Sequence, residues 1–439
     1  MEKYETLNLC MEQIKWLGAN LVRSDIGVLS SEEEAESGKF DFTYPDALIK
    51  ATYEAGIDLD LINNNKGVEV LYPYSEKAYS WNSVPKTPES MESFQRLLLQ
   101  RYKSYNNYFY EIGNEINHSS YFTGTPEEYG DILRVVTGVC EDSGVKTSAG
   151  SVVANGSGAD DALFYNQIAS CGGADYFAYH SHGDLQTLIE NHKTVDGWMK
   201  NAGIKKEILL NETGISTADK QKQAEIMMKK LLWAYGNGHR GAVLFTLRQY
   251  GEIAMPGGMG GYAMVSHTGD IRPVFVAYAN LIDKLNKTIR AVNCSEDEVY
   301  AFLFEKDGDD VISVFDDVEA GGKKIVVNSD HTAYDMYGNE LVKSTEYKIG
   351  NTPIYIVFHG ETNFDIIPEE MGVIIIAIYD ENGKMLQIET DNVYENNALQ
   401  TSVKAIEAVE SGCVVKVFYM YKLSCLSPIF TAIELEQRW

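Results

Sequence analysis

The chain has 439 residues, 44% hydrophobic and 23% charged, which suits a soluble protein with one large domain and one or two small ones. Its net charge of −27 is spread along the chain rather than gathered in a tail, which argues against nucleic-acid or anionic-membrane partners and favours neutral ones. The six cysteines show no C-x-x-C spacing, so a zinc or redox motif is not expected, and no apolar run is long enough to span a bilayer.

From the start to about Leu285, apolar runs alternate with amphipathic helical stretches, the pattern of a parallel α/β architecture. The chain opens on a helix, Glu5 to Gly18, after a polar start that lacks a signal-peptide pattern. Strands are expected at Ala19 to Ile26, Gly56 to Asn64, Tyr108 to Glu115, Val145 to Ala154, Ala174 to Gly183, Lys206 to Gly214 and Gly241 to Gln249. Helices fit between them. One runs from Thr125 to Ser143 behind the capped start Thr125-Pro126-Glu127-Glu128, and another from Asp219 to Gly236.

After the helix Ile271 to Leu285, short β runs alternate with Gly and Asp turns: Val299 to Phe304, Asp310 to Phe315, Lys323 to Val327 and Pro353 to Phe358. An antiparallel sandwich is expected there. A second β block comes next, with Val373 to Tyr379, the turn Asp380-Glu381-Asn382-Gly383, and Cys413 to Tyr419. The expected domains are therefore a barrel over 1–288, a small β-sandwich over 289–360 and an accessory β-rich domain over 361–439.

Two strands end in glutamates, Tyr108-Phe109-Tyr110-Glu111-Ile112-Gly113-Asn114-Glu115 and Glu207-Ile208-Leu209-Leu210-Asn211-Glu212. A barrel enzyme keeps its chemistry at the C-terminal ends of its strands, and two carboxylates converging there are the equipment for glycoside hydrolysis. Asn114 supplies a neutral donor and acceptor for a substrate hydroxyl. Arg23 is a charge in an apolar strand, so a carboxylate must pair with it; Asp25 is the local candidate, a catalytic carboxylate the functional one. His180 and His182 lie at i and i+2 of one strand and can share the barrel mouth. They read as hydrogen-bonding site residues, because further metal ligands at suitable spacing are not evident. Trp81, Tyr121, Tyr165 and Tyr250 fall in strand-to-helix loops, where they could stack on sugars or pack. Trp16 and Trp233 are expected in the core.

The stretches Trp16 to Ile26, Gly38 to Phe42, Tyr110 to Asn117, Tyr179 to Gly183, Leu209 to Gly214, and Gly261-Tyr262 through Arg272-Pro273-Val274 together resemble clan A glycoside hydrolases, nearest the β-xylosidase/α-iduronidase branch. The resemblance covers roughly Glu5 to Gly360. It implies a (β/α)₈ TIM barrel with the acid/base after strand four and the nucleophile after strand seven. Glu115 and Glu212 match those roles. Asn114 matches the residue that binds the sugar 2-hydroxyl, Arg23 the strand-two arginine, and His180 the strand-six polar residue. Trp81, His182 and Tyr250 complete the candidate substrate contacts. Two departures stand out: the strand that precedes the first helix is absent, and Phe245-Thr246-Leu247-Arg248-Gln249 replaces the strand-eight tryptophan.

The expectation is a retaining glycosidase acting on a carbohydrate substrate, with no cofactor and no metal. An inactive carbohydrate-binding barrel, and a metal-dependent hydrolase built on His180 and His182, are the alternatives. Burial and repulsion are expected to keep Glu115 protonated. The missing strand leads to the further expectation of an N-terminally truncated protein whose lost segment supplies strand one and can carry a secretion signal, with the strands Ala19 to Ile26 and Gly241 to Gln249 unpaired across the gap. Oligomeric state, sugar specificity and location (secreted or cell-surface with a leader, otherwise cytoplasmic) are open from sequence.

Overall fold

The computed structural model describes residues 2–26, 40–63, 88–154, 161–171, 173–249, 261–296, 299–317, 322–368, 372–393, 414–420 and 433–436. The chain forms two compact units: one takes in 1–293 and the short segments 302–305 and 336–338, the other the remaining residues.

In the first unit, helix α1 (Glu2–Leu17) leads into seven parallel strands: β1 (Leu21–Asp25), β2 (Asp58–Asn63), β3 (Tyr108–Ile112), β4 (Thr147–Val153), β5 (Tyr176–His182), β6 (Glu207–Gly214) and β7 (Gly241–Leu244). Between them run α2 (Thr43–Ala55), α3 (Pro88–Tyr102), α4 (Pro126–Ser143), α5 (Asp161–Cys171), α6 (Leu185–Ala202) and α7 (Lys220–Gly236), and α8 (Pro273–Leu285) comes after β7. The strands lie in chain order β1 to β7. This is a TIM-type barrel with seven strands among the described residues, one fewer than eight, as the sequence leads one to expect. Among the described residues no ladder joins β1 to β7. The two edges meet through side chains instead: a Cβ on Gly241 would lie 3.3 Å from Leu21 Cδ2, and Leu247 packs with Val22 and Ala19 against Met11, Ile14 and Ile57.

Local signals set these elements. Thr125 caps α4 through a complete capping box with Glu128, and Gly144 closes the helix at φ +70°, a backbone region that suits glycine. Asp184 and Asp219 cap α6 and α7 through their side chains. The alternation of each strand sends one set of residues toward the helices, such as Leu59, Leu61, Tyr110 and Ile112, all close to fully buried. The opposite set faces the barrel interior. Its lower end is closed by Phe109, Tyr176, Ala178 and Leu209, while its upper layers are polar.

Two helical residues differ from expectation. Trp16 is 63% exposed, because it lies on the outer face of α1, whereas Trp233 is buried at 8%. Tyr165 is not in a loop but inside α5, fully buried against Phe177 and Trp198 with ring centroids 4.8 and 4.7 Å away. A period of 3.6 identifies a helix well, but a single aromatic near its end does not say which face it takes.

The remaining strands are antiparallel. Strands β8 (Thr288–Asn293), β9 (Val299–Lys306), β10 (Val311–Asp316), β12 (His331–Tyr334) and β14 (Ile354–Phe358) form one sheet in the order β12-β14-β10-β9-β8. Strands β11 (Lys323–Val327), β13 (Glu346–Lys348) and β15 (Phe364–Pro368) form a second, ordered β13-β11-β15. Further on, β16 (Gly372–Tyr379), β17 (Met385–Val393), β18 (Val414–Met420) and β19 (Ile433–Glu436) form a four-stranded sheet ordered β17-β16-β18-β19. Gly338-Asn339-Glu340, which repeats the tripeptide near Glu115, lies in a turn closed by Asp335 N–H to Asn339 O at 2.9 Å. Among the described residues no helix is long and apolar enough to cross a membrane.

Candidate active site

The upper end of the barrel gathers polar residues from six strands, β1 to β6. Arg23 on β1 is the hub. Its Nε and Nη2 donate to the two oxygens of Glu111 at 2.7 and 2.8 Å, Nη1 donates to Glu212 Oε2 at 2.7 Å, and Nη2 also reaches Asn114 Oδ1 at 2.6 Å. The paired carboxylates thus come from β3 and β6, not from the local Asp25. A planar guanidinium suits this arrangement, because its fork grips one carboxylate with two donors and keeps a third for another.

Glu115 does not end a strand. β3 stops at Ile112, Gly113 turns the chain at φ +88°, and Glu115 itself has φ +44°. A side chain on Gly113 would sit 2.7 Å from Ile116 Cγ2, so glycine is required at this turn. Positive φ is costly for glutamate, and strain of this kind collects where function fixes a side chain. The turn brings Glu115 Oε1 within 2.9 Å of His180 Nδ1.

Glu212 depends on an irregularity. Ala178 pairs with Leu209 but His180 pairs with Glu212, and on the other side Leu210 pairs with Ala242 but Thr213 with Leu244. β6 therefore carries one extra residue, and a bulge of this kind re-aims side chains. Consecutive residues of a regular strand point to opposite faces. Here Asn211 and Glu212 both reach the central cluster: Asn211 Nδ2 donates to Asp60 Oδ2 and Ser151 Oγ at 3.2 Å each, and Glu212 joins Arg23. A matching extra residue in β4, between Ala149 and Val152, accompanies Ser151, which hydrogen-bonds Glu111.

The second oxygen of Glu212 lies 3.2 Å from His182 Nε2. An oxygen of Glu115, one of Glu212 and a ring nitrogen of His180 all lie within 4.8 Å of one another. Two carboxylates and an imidazole are also a donor set for a divalent ion, but the Arg23 guanidinium on Glu212 already places a fixed cation there. His180 Nε2 and His182 Nδ1, both buried atoms, have no hydrogen-bond partner among the described residues.

The electrostatics separate the carboxyl groups. Burial alone would raise Glu212, but His180, the His182 hydrogen bond and Arg23 outweigh it and hold the group at about 2. Burial likewise acts to raise Glu111, and Arg23 overrides it to leave that carboxyl lowered. Two tyrosines border the site. Burial, followed by the charges of Glu115 and Glu212, pushes the Tyr121 hydroxyl up, and burial followed by Glu212 does the same to Tyr262. Tyr262, Phe245 and His182 form an aromatic group with centroid separations of 5.4 to 5.8 Å. Gly214 makes this possible, since a Cβ there would lie 2.5 Å from Phe245 O and 2.7 Å from the Tyr262 ring.

The structure therefore brings together Glu115, Glu212, Asn114, Arg23, His180, His182 and Tyr121. It removes Tyr165 from the site. Trp81 and Tyr250 lie outside the described residues. Sequence reasoning passed over Glu111, Asp60, Ser151, Asn211 and Tyr262. The signal for two of them was available: Glu111 in Tyr-Phe-Tyr-Glu-Ile and Asp60 in Asp-Leu-Asp-Leu-Ile are acids inside buried strands, and buried acids need partners.

No family model matches the chain, and no curated protein matches it in sequence. Solved structures do share its fold. A family 39 glycoside hydrolase from the gut symbiont Bacteroides cellulosilyticus WH2 superposes with a TM-score of 0.61 at 15% identity, over 80% of this chain and 78% of that one. A GH30 endoxylanase from Clostridium papyrosolvens C71 superposes with a TM-score of 0.54 at 13% identity, over 80% of this chain and 92% of that one. The fold is that of the clan A glycoside hydrolases.

Proposed function

We propose that this chain is a retaining glycoside hydrolase, cleaving O-glycosidic bonds of a plant, microbial or host glycan by double displacement. The observation that carries the reading is the separation of the two glutamates. Their nearest oxygens lie within 4.8 Å, and retention calls for carboxyl groups about 5–5.5 Å apart, against roughly 6.5–9.5 Å for inversion.

Glu212 is the nucleophile. Held at about 2, it is ionised at any ordinary pH, and its attack on the anomeric carbon forms a glycosyl ester as the leaving oxygen departs. Glu115 donates the proton to that oxygen, then removes one from the water that hydrolyses the ester. His180 orients Glu115 through the 2.9 Å contact. Asn114 has its Oδ1 engaged by Arg23, which turns its amide N–H donors toward a sugar hydroxyl. Tyr121 and Tyr262 offer aromatic faces beside the charged pair, and Phe245 lies in the stretch, Phe245 to Gln249, that the resemblance sets in place of the clan's strand-eight tryptophan. Trp81 and Tyr250 remain candidate sugar contacts.

A panel of nitrophenyl glycosides tests the proposal. Turnover that disappears in Glu212→Ala and partly returns with azide supports it. Turnover that survives in Glu212→Ala removes the nucleophile assignment, and binding without turnover favours an inactive carbohydrate-binding barrel. Loss of activity on exhaustive chelation would favour the metal-dependent reading of His180 and His182.

A further inference from the structure

Three carboxyl groups, those of Glu111, Asp60 and Glu212, surround a single guanidinium. Glu111 and Asp60 are both fully buried, and the Glu212 side chain is 16% exposed. Arg23 spends its close contacts on Glu111 and Glu212, and its Nε stays 3.9 Å from Asp60 Oδ2. Asn211 donates to that same Oδ2 at 3.2 Å. Asp60 Oδ1 has no hydrogen-bond partner among the described residues, and Asp60 and Glu111 act on each other as neighbouring buried acids. Two ionised carboxylates can only accept, so a contact between two anions here would be repulsive. With one proton between them it becomes a charge-assisted O–H···O⁻ bond.

We propose that Asp60 works as a neutral acid that donates from Oδ1 to Glu111, and that this reserves Arg23 for Glu111 and Glu212. Asp60 is then a positioning residue. An anion at that position would draw Nε of Arg23 toward the barrel floor and away from the geometry that keeps Glu212 ionised. The catalytic consequence rests on the glycosidase reading; the protonation state does not.

The groups facing Asp60 agree. Burial and the Glu111 charge from β3 push its carboxyl well up, against Arg23 from β1 and Asn211 from β6. Ser151 from β4 and His180 from β5 act on Glu111. An acid that keeps its proton in the folded chain and loses it in the unfolded one contributes stability at low pH. That contribution is lost as pH rises above the ordinary aspartate value of 3.8.

Two variants test this. Asp60→Asn keeps a neutral donor of the same shape, and urea unfolding from pH 4 to 8 should show it gaining on the wild type steadily as pH rises. A flat or falling difference would overturn the proposal. On whichever glycoside the panel identifies, Asp60→Leu should lower kcat about tenfold or more with little change in KM, and Asp60→Asn should recover most of that loss. Failure of Asn to rescue would remove the positioning role. If the wild type turns over no glycoside while the stability trend is as expected, only the glycosidase reading falls.

Discussion

Arg23 Nη1 donates to Glu212 Oε2 at 2.7 Å, tying the first strand of the sheet to the sixth across 189 residues of chain. The same guanidinium grips Glu111, so one side chain sets both the shape of the polar barrel interior and the charge of the proposed nucleophile. Replacing it by Met leaves Glu111 as an unpaired buried anion, at a cost of about 3–5 kcal/mol in unfolding free energy. In Arg23→Lys, which keeps the charge but not the fork, the acidic limb of kcat/KM should move to higher pH as Glu212 rises from about 2. Urea unfolding and a pH–rate profile check the two halves separately.

His239 predicts an acid sensitivity that originates outside the site. It is buried, with Nδ1 2.9 Å from Ala234 O and Nε2 2.9 Å from the Tyr179 hydroxyl, an arrangement that fits one neutral tautomer. Burial, then the neighbouring His192, pushes it from 6.5 down to about 3. The unfolded chain therefore binds a proton below pH 6.5 that the folded chain refuses. The stability His239 contributes is complete above 6.5 and is lost as pH falls toward 3, by roughly 2 kcal/mol at pH 5. In His239→Gln this loss should be absent, which urea midpoints at pH 7 and pH 5 will show.

Lys230 has the same sign over a higher pH range. Its ammonium, fully buried on α7, donates to Ser181 O and Gly183 O at 2.9 and 3.0 Å, bracketing the residue that contacts Glu212. Burial lowers it from 10.5 to about 7, against the pull of Asp184. Between those values the unfolded chain holds the proton that the folded chain has released, so the wild type gains stability as pH rises. Relative to Lys230→Met that gain should be roughly 2–3 kcal/mol from pH 7 to 9. A Met variant equally destabilised at both values would contradict it.

The Tyr129 hydroxyl bridges the two strands that support Glu115. It donates to Ile112 O at 2.7 Å and accepts from Gly150 N–H at 2.6 Å. Tyr129→Phe strands two buried backbone groups, and the expected cost is roughly 1–3 kcal/mol. Gly150→Ala should be worse, because its Cβ would fall 2.2 Å from Ile112 O, a backbone atom that cannot give way. Thermal melts rank the two variants.

The sequence displays the seven strands clearly, because each is a short apolar run between capped helices, and period and punctuation are local properties. Glu115, Glu212 and Arg23 stood out for the same reason, as charges at or in such runs. Glu111 and Asp60 did not, although they obey the same rule, because their partners come from other strands and become visible only when the barrel rolls up. The joint inward placement of Asn211 and Glu212 was hidden as well: it results from a one-residue bulge, and nothing in Leu-Leu-Asn-Glu-Thr-Gly marks where a strand will slip. The sequence places Glu115 at the end of a strand, because Gly113 does not by itself declare the positive-φ turn that the structure has there.

The central claim is that Glu212 forms a covalent bond to the sugar while Glu115 moves the proton. In a 2-deoxy-2-fluoro glycoside with a dinitrophenolate leaving group, matched to the sugar the panel selects, the fluorine slows both formation and breakdown of that bond while the activated leaving group speeds formation alone, so the glycosyl-enzyme accumulates. The account predicts a burst of one equivalent of dinitrophenolate per chain and a mass increase of one fluoroglycosyl unit, located by peptide mapping on Glu212. A label carried by any other residue would contradict it, as would steady turnover of the natural glycoside with inversion at the anomeric carbon.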